Sequence, residues 1–354
     1  MGVVVQFTAP GVVDVVDEPS KALRPDQVRV RTEFSGISAG TELTAYRGSN
    51  PYLNRQWQED SRLFVEGSST FDYPVVGWGY EEVGTVVEVG GEVEGVREGD
   101  RVWGTWGHRS EVVLDGSHAA ARILSADVDP IVGVFSQIGA IALNVVLDAD
   151  IHVGETVAVF GLGVPGQLVA QFARLNGARV IGVDGIAARR ELAGELGAEV
   201  VLDPGAVDVS AEIRRLTGGL GADACLEISG SARALHEAVR AVAYSSRVCA
   251  AGFFQGEAAG LRLGEEFHHN RVQIVGSQIS GVAPALQHRW NGHRLARAAI
   301  DLASSGRLRV GELVTHRLPV AEASAAYELL AERPADALQV VLGFDDVEAV
   351  RGAA

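Results

Sequence analysis

The apolar residues of this chain fall into two rhythms. Up to about residue 126 they form short β-rich runs, at 3–7, 27–32, 82–89, 99–103 and 110–114, broken by Gly and Pro. That is the pattern of strands separated by turns, and it predicts an all-β, barrel-like domain. Over 130–149 apolar residues recur at helical spacing, which predicts one long helix. Strands then alternate with helices: strands at 156–160, 178–183, 199–202, 222–228, 247–252 and 272–276, helices at 167–176, 211–216 and 232–243. Such alternation implies a parallel sheet covered on both faces, a doubly wound α/β fold. A helix over 292–304, a strand at 314–318, a helix over 320–332 and a strand at 339–343 fit a return to the first domain. The expected division is a β-rich domain of 1–140 and 282–354 around a dinucleotide-binding domain of 141–281.

The stretch that organises the rest is 156–184, TVAVFGLGVPGQLVAQFARLNGARVIGVD. It reads strand, glycine turn, helix, strand, acid, with the acid about 20 residues beyond the glycines, the dinucleotide-binding fingerprint. Gly161 allows the tight turn, Gly163 lets a pyrophosphate approach the backbone, and Gly166 lets helix and strand pack closely. The helix N-terminus, opening at Val164 and Pro165, offers free N–H groups to phosphate. Asp184 accepts from the ribose hydroxyls and repels a 2′-phosphate, which favours NAD over NADP. Arg189 and Arg190 lie a few residues on, flanking the adenine, helping a phosphate or facing solvent.

Composition narrows the classes. Hydrophobic residues are 47% and charged residues 21% of 354, a soluble globular balance large enough for two domains. No apolar run approaches a membrane span, and the start lacks the basic flank of a signal peptide; a cytoplasmic protein is expected. The net charge of −16 argues against nucleic acid and anionic membranes as partners. The two cysteines, Cys225 and Cys249, sit in apolar strand-like runs and read as core residues, with no disulfide framework and no cysteine-based zinc site. The segment 46–74 is polar and aromatic without a period. Its Tyr52, Trp57, Phe64 and Phe71 predict order, either as the wall of a pocket or as a surface loop pinned by its rings.

At this point the chain resembles a family, the medium-chain dehydrogenase/reductase superfamily of zinc alcohol and polyol dehydrogenases. The landmarks are FSGISAGTEL at 34–43, GYEEVG at 79–84, GDRV at 99–102, the GLGVPG turn and AEASAAY at 321–327. The resemblance implies a GroES-like catalytic domain and assembly into homodimers or homotetramers, for which the late strand at 272–276 offers a sheet edge. It also implies a metal that the ligand positions no longer supply. Where zinc members carry Cys, this chain has Ser38 or Ala39; where they carry the His of Gly-His-Glu, it has Tyr80; at the start of the interdomain helix it has Gln137. The lobe holding a structural zinc is absent. Only Glu81 remains a strong ligand, against the three or so a catalytic zinc needs, so a zinc-less member is expected. The wording is similar to the subgroup with bacteriochlorophyllide hydroxyethyl dehydrogenases.

Without zinc, another donor must polarise the substrate oxygen. Tyr80 stands at a ligand position, and its phenol either donates to the reacting oxygen or fills the space the metal left; as a base it needs a depressed pKa. Thr41 matches the hydroxyl of the family's proton relay, and Thr44 breaks that relay one step on. His108, beside two tryptophans, is a candidate acid/base or a satisfied histidine. Trp78, Glu81, Gln137, His288 and Trp290 are candidate substrate contacts, with Glu81 also suited to a structural ion pair and the segment 280–291 to an interdomain connection. His268 and His269 suit a structural or interface role. The function expected is NAD(H)-dependent interconversion of a small-molecule secondary alcohol and ketone, on a sugar, cyclitol or secondary metabolite. The alternatives are a zinc-independent enone or quinone reductase and a non-enzymatic nucleotide-binding protein.

Overall fold

The computed structural model describes residues 1–345. The described chain forms two compact units, one of Met1–Gln137 together with residues 314–345, the other Ile138–Leu313. In the first unit the long strand Gln27–Gly36 is the organising element. It pairs antiparallel with Glu82–Val89, Glu111–Asp115 and Gln339–Gly343. Strand Val314–Pro319 lies parallel beside Gln339–Gly343, and Arg101–Gly104 beside Glu82–Val89. A smaller sheet places Gly2–Ala9 between Val12–Glu18 and Val75–Val76. The unit's largest core cluster joins Val3, Val5 and Phe7 to Tyr327, Leu330, Val340 and Leu342, so the C-terminal elements complete the N-terminal core.

The segment 46–74 is ordered by its aromatics. A short helix, Pro51–Asn54, precedes a hairpin of Gln56–Gln58 with Leu63–Val65. Ring contacts run in a chain: Trp57 to Phe64 (4.9 Å), Phe64 to Tyr52 (5.4 Å), Tyr52 to Phe71 (5.8 Å) and Phe71 to Trp78 (5.3 Å).

The second unit has the doubly wound sheet. Six parallel strands run in the order Val200–Leu202, Arg179–Val183, Thr156–Phe160, Ala222–Glu227, Val242–Ala250, Gln273–Gly276. Its central strands are apolar on both faces, as burial beneath helices on each side requires. Both cysteines are buried in these strands and free; burial pushes both thiols up, Cys249 to about 12.

Two expectations about the connections change. The single helix over 130–149 is two, Ile131–Val134 and Ser136–Asp148, separated at Phe135. Residues 282–313 also group with the second unit rather than the first. The helix Gly292–Ser304 buries Leu295, Ala299 and Ile300. A Cβ on Gly139 would lie 2.7 Å from that of Ala299, so the two helices touch where one lacks a side chain. Asn144 donates to the carbonyl of Gly281 (3.1 Å). Gln171 and Arg309 exchange two hydrogen bonds of 3.0 and 2.8 Å.

Candidate active site

In the second unit the candidate groups gather at the carboxyl ends of the parallel strands. Phe160 leads into Gly161, whose φ of +92° suits glycine. A Cβ on Gly166 would sit 1.9 Å from the carbonyl oxygen of Gly161, so the helix Val164–Leu175 is seated directly on the turn. Gly163 differs: a Cβ there would meet nothing closer than the Arg189 guanidinium at 3.9 Å. That open cradle fits a pyrophosphate approaching bare backbone. Gly163 caps the helix without a side chain and Pro165 occupies its first turn, so first-turn N–H groups stay available.

Asp184 anchors the turn. One carboxylate oxygen accepts from the Leu162 N–H (2.7 Å) and the other from the Ile186 N–H (2.8 Å). A carboxylate has about four acceptor sites, so each oxygen retains capacity for a ribose hydroxyl. Arg190 is committed to the Asp184 carbonyl (2.7 Å) and to Asp203 (2.9 Å). Arg189 is half-buried; desolvation lowers its pKa and the Asp184 charge opposes this. Ser229 and Gly230, which sequence reasoning missed, close the cradle's far side: a Cβ on Gly161 would lie 2.8 Å from Ser229. Buried Glu227 holds that turn by accepting from the Ser229 and Gly230 N–H groups (2.9 and 3.1 Å).

In the first unit, Ser38, Thr41 and Tyr80 form a cluster of three hydroxyls. The Tyr80 phenol hydrogen-bonds the Ser38 hydroxyl and lies 3.2 Å from that of Thr41. Ser38 caps the helix Ala39–Tyr46, which presents Thr41 to the same phenol. The Thr44 hydroxyl is turned away, donating to the Thr41 carbonyl (2.6 Å) and accepting from Asn50 (2.7 Å). Burial raises the Tyr80 pKa, and the charge of Glu81 raises it further, against the lowering hydrogen bonds of Ser38 and Thr41. The phenol is therefore a donor throughout the physiological range, and not a base.

Behind this cluster lies a buried ionic network. His108 is fully buried, with Nδ1 on the Ser35 hydroxyl and Nε2 on Glu42 Oε2 (2.6 Å). Ser35 also lies 3.1 Å from Glu82 Oε1. Glu42 Oε2 accepts from the Tyr327 hydroxyl as well, so Nε2 is a ring nitrogen that donates. The ring sits between the Glu42 carboxylate and, through Ser35, the Glu82 carboxyl. Burial alone would lower its pKa, but the charge and hydrogen bond of Glu42 and the charge of Glu82 raise it. The expectation of an accessible acid/base at His108 is corrected: both ring nitrogens are engaged and no surface reaches the ring.

Glu81 is corrected in the same way. It is fully buried, neither carboxyl oxygen makes a hydrogen bond of good geometry, and the polar group facing it is the Gln339 amide. Burial first, then the charges of Glu42 and Glu82, push its pKa well up, which favours the protonated form. It neither binds substrate from the surface nor forms an ion pair. Trp78 packs edge-on against Phe71 and Phe7 (5.3 and 6.4 Å) and lies partly buried against the core cluster. Gln137 is half-buried near the start of its helix. His288 and Trp290 lie in the second unit, His288 exposed in a turn and Trp290 beneath the Arg294 guanidinium at 4.4 Å. Asn291 caps the following helix.

Comparison with known proteins finds a family model for each part of the chain. The family model described as the alcohol dehydrogenase GroES-like domain matches residues 24–156, and that described as zinc-binding dehydrogenase matches 165–296. The chain is 32% identical over 327 residues to the D-guloside 3-dehydrogenase of Escherichia coli (strain K12), covering 90% of this chain and 93% of that one. It belongs to the medium-chain dehydrogenase/reductase superfamily. Among solved structures, 2R,3R-butanediol dehydrogenase from Bacillus subtilis superposes with a TM-score of 0.78 at 20% identity, covering 98% of this chain and 100% of that one. An Escherichia coli oxidoreductase/dehydrogenase of unknown specificity gives 0.79 at 21%, covering 98% and 99%.

The superfamily implies both a nicotinamide dinucleotide and, in many members, zinc. The glycine cradle and Asp184 fit the first. The residues at the ligand positions do not fit the second. Ser38 and Tyr80 offer neutral hydroxyls bonded to each other and Glu81 a carboxyl whose ionised form burial disfavours, where zinc takes thiolate, imidazole or carboxylate.

Proposed function

We propose that this protein is an NAD(H)-dependent oxidoreductase that interconverts a secondary alcohol and a ketone without catalytic zinc. The observation that carries the reading is the Ser38–Tyr80–Thr41 hydroxyl cluster with its neutral phenol. Alcohol oxidation removes a hydride from carbon and a proton from oxygen; the nicotinamide, when bound, exchanges the hydride, and solvent water takes up the proton or returns it in the reverse direction. The protein must hold the substrate oxygen and follow its proton. Tyr80 donates a hydrogen bond to that oxygen, the role zinc fills elsewhere as a Lewis acid, and Ser38 and Thr41 orient the phenol. The cradle of Gly161, Gly163, Val164, Pro165 and Gly166, with Asp184 and Arg189, binds the dinucleotide. The free acceptor sites on Asp184 favour NAD over NADP.

A polyhydroxylated substrate is supported by the relative named for a guloside, and a hydroxyl-lined site suits one. Methyl D-guloside and 2,3-butanediol are the first probes, with NAD and NADP as alternative acceptors. Tyr80→Phe is expected to lower kcat by roughly 10²-fold while leaving the NADH Kd unchanged. An unaltered kcat in Tyr80→Phe, or stoichiometric zinc in active protein, overturns the reading. The edge position of strand Gln273–Gly276 supports assembly into a homodimer or homotetramer, read directly as mass by light scattering.

A further inference from the structure

The Glu42 side chain ties three separate parts of the first unit to one carboxylate. Glu42 lies in the first turn of the helix Ala39–Tyr46. Its Oε1 reaches back to accept from the Ser38 N–H (2.8 Å), while the Glu42 N–H donates to the Ser38 carbonyl (2.8 Å). The residue that bonds the Tyr80 phenol is thus gripped at both backbone groups by Glu42. Oε2 is held in turn by His108 Nε2 (2.6 Å) and by the Tyr327 hydroxyl, from the helix Ala323–Glu332. All three groups facing the carboxylate are donors. It is 1% exposed, so no water competes for these bonds.

We infer that Glu42 is a positioning residue: anchored by His108 and Tyr327, it fixes Ser38, and through Ser38 the direction of the Tyr80 phenol. The inference rests on the proposed role of Tyr80 and goes beyond it by naming what aims that group. A loose anchor leaves the fold standing and lets the phenol wander, and misplacement by about 1 Å can cost on the order of 10²-fold in rate. Glu42→Gln turns one acceptor into an amide donor that must face Ser38, or His108 and Tyr327. Tyr327→Phe keeps the carboxylate and removes one of its anchors.

The test has two readouts. In full-length protein carrying 3-fluorotyrosine, the Tyr80 resonance is assigned by its loss in Tyr80→Phe. It is expected to shift or split in Glu42→Gln and in Tyr327→Phe; a resonance unmoved in both overturns the inference without any substrate. With whichever probe alcohol turns over, each variant is expected to lower kcat by roughly 10- to 100-fold at unchanged NADH Kd. Because the effect passes through Tyr80, it should vanish in the Tyr80→Phe background. An equal penalty in both backgrounds shows a merely structural role and overturns the inference. If Tyr80→Phe itself costs nothing, the proposed function fails, while the fluorine spectrum still decides the placement. Should Glu42→Gln not fold, Tyr327→Phe alone carries both readouts.

Discussion

Glu81 is a carboxyl kept out of water without a proper partner, and it leaves a thermodynamic signature. Unfolded, the group ionises near its ordinary value of 4.5; folded, its pKa is well above that. Between the two values the native protein holds a proton the unfolded chain has lost. Stability therefore falls as pH rises, by about 1.4 kcal/mol per pH unit from this one group. Glu81→Gln abolishes that contribution. Denaturant titrations from about pH 5 upward should show the variant losing less stability with rising pH than the wild type; equal slopes throughout would falsify the assignment. Glu82 and His108 are also raised, act in the same direction and are shared by both proteins. At Asp184 the prediction concerns affinity: Asp184→Ser should raise the NADH Kd by roughly tenfold or more, as lost hydrogen bonds to two hydroxyls require, and narrow the preference over NADPH in fluorescence titrations. Tyr80 and Thr41 were legible in the sequence because they stand at motif positions. The Glu42–Tyr327 bond was not, since its partners are 285 residues apart, in two landmark stretches, 34–43 and 321–327, that nothing in the sequence joins to each other. His108 was open to two readings, an acid/base or a satisfied histidine, for want of any sign that Glu42 and Ser35 would enclose it.

The glycine turn shows what an element can demand of one position. Gly166 has no room for a methyl group, because the obstacle is the Gly161 carbonyl, a backbone atom that cannot rotate aside. Gly166→Ala should destabilise the second unit by about 1–3 kcal/mol and weaken NADH binding in step, measured by calorimetry and titration. Gly163→Ala meets open space, so it should leave the melting temperature of the free protein nearly unchanged and weaken dinucleotide binding. The two substitutions thus separate a glycine needed by the fold from one needed by the ligand. Elements with a strong period were read correctly, including the helix Gly292–Ser304 and the strand Gln339–Gly343. The hairpin within 46–74 escaped because its strands are three residues each, too short for alternation to register. The break at Phe135 escaped because the apolar spacing continues across it.

At the scale of the molecule, the boundary at 137/138 lay close to the expected one, while that at 313/314 did not. The alternating pattern ends at 276, and nothing in the period of 292–304 says which unit its apolar face will cover. The missing side chain at Gly139, which leaves room for Ala299, and the bonds of Asn144 to Gly281 and Gln171 to Arg309 tie it to the second unit. A fragment of residues 138–313 is expected to unfold cooperatively in denaturant and to bind NADH within about tenfold of the whole protein; a fragment without a cooperative transition would show that the second unit depends on the first.

The pairing of Gln27–Gly36 with Gln339–Gly343 also has a consequence in time. A ribosome making about 5–20 residues each second needs roughly 15–60 s to travel the approximately 300 residues between those strands. For that interval the end of the strand at 34–36 lacks its partner on the flank that Glu111–Asp115 covers over 27–31, and by its close the second unit has emerged whole. The chain is thus obliged to finish its middle before its beginning, and slow decoding near the 3′ end of the message would prolong the exposure of an unpaired edge.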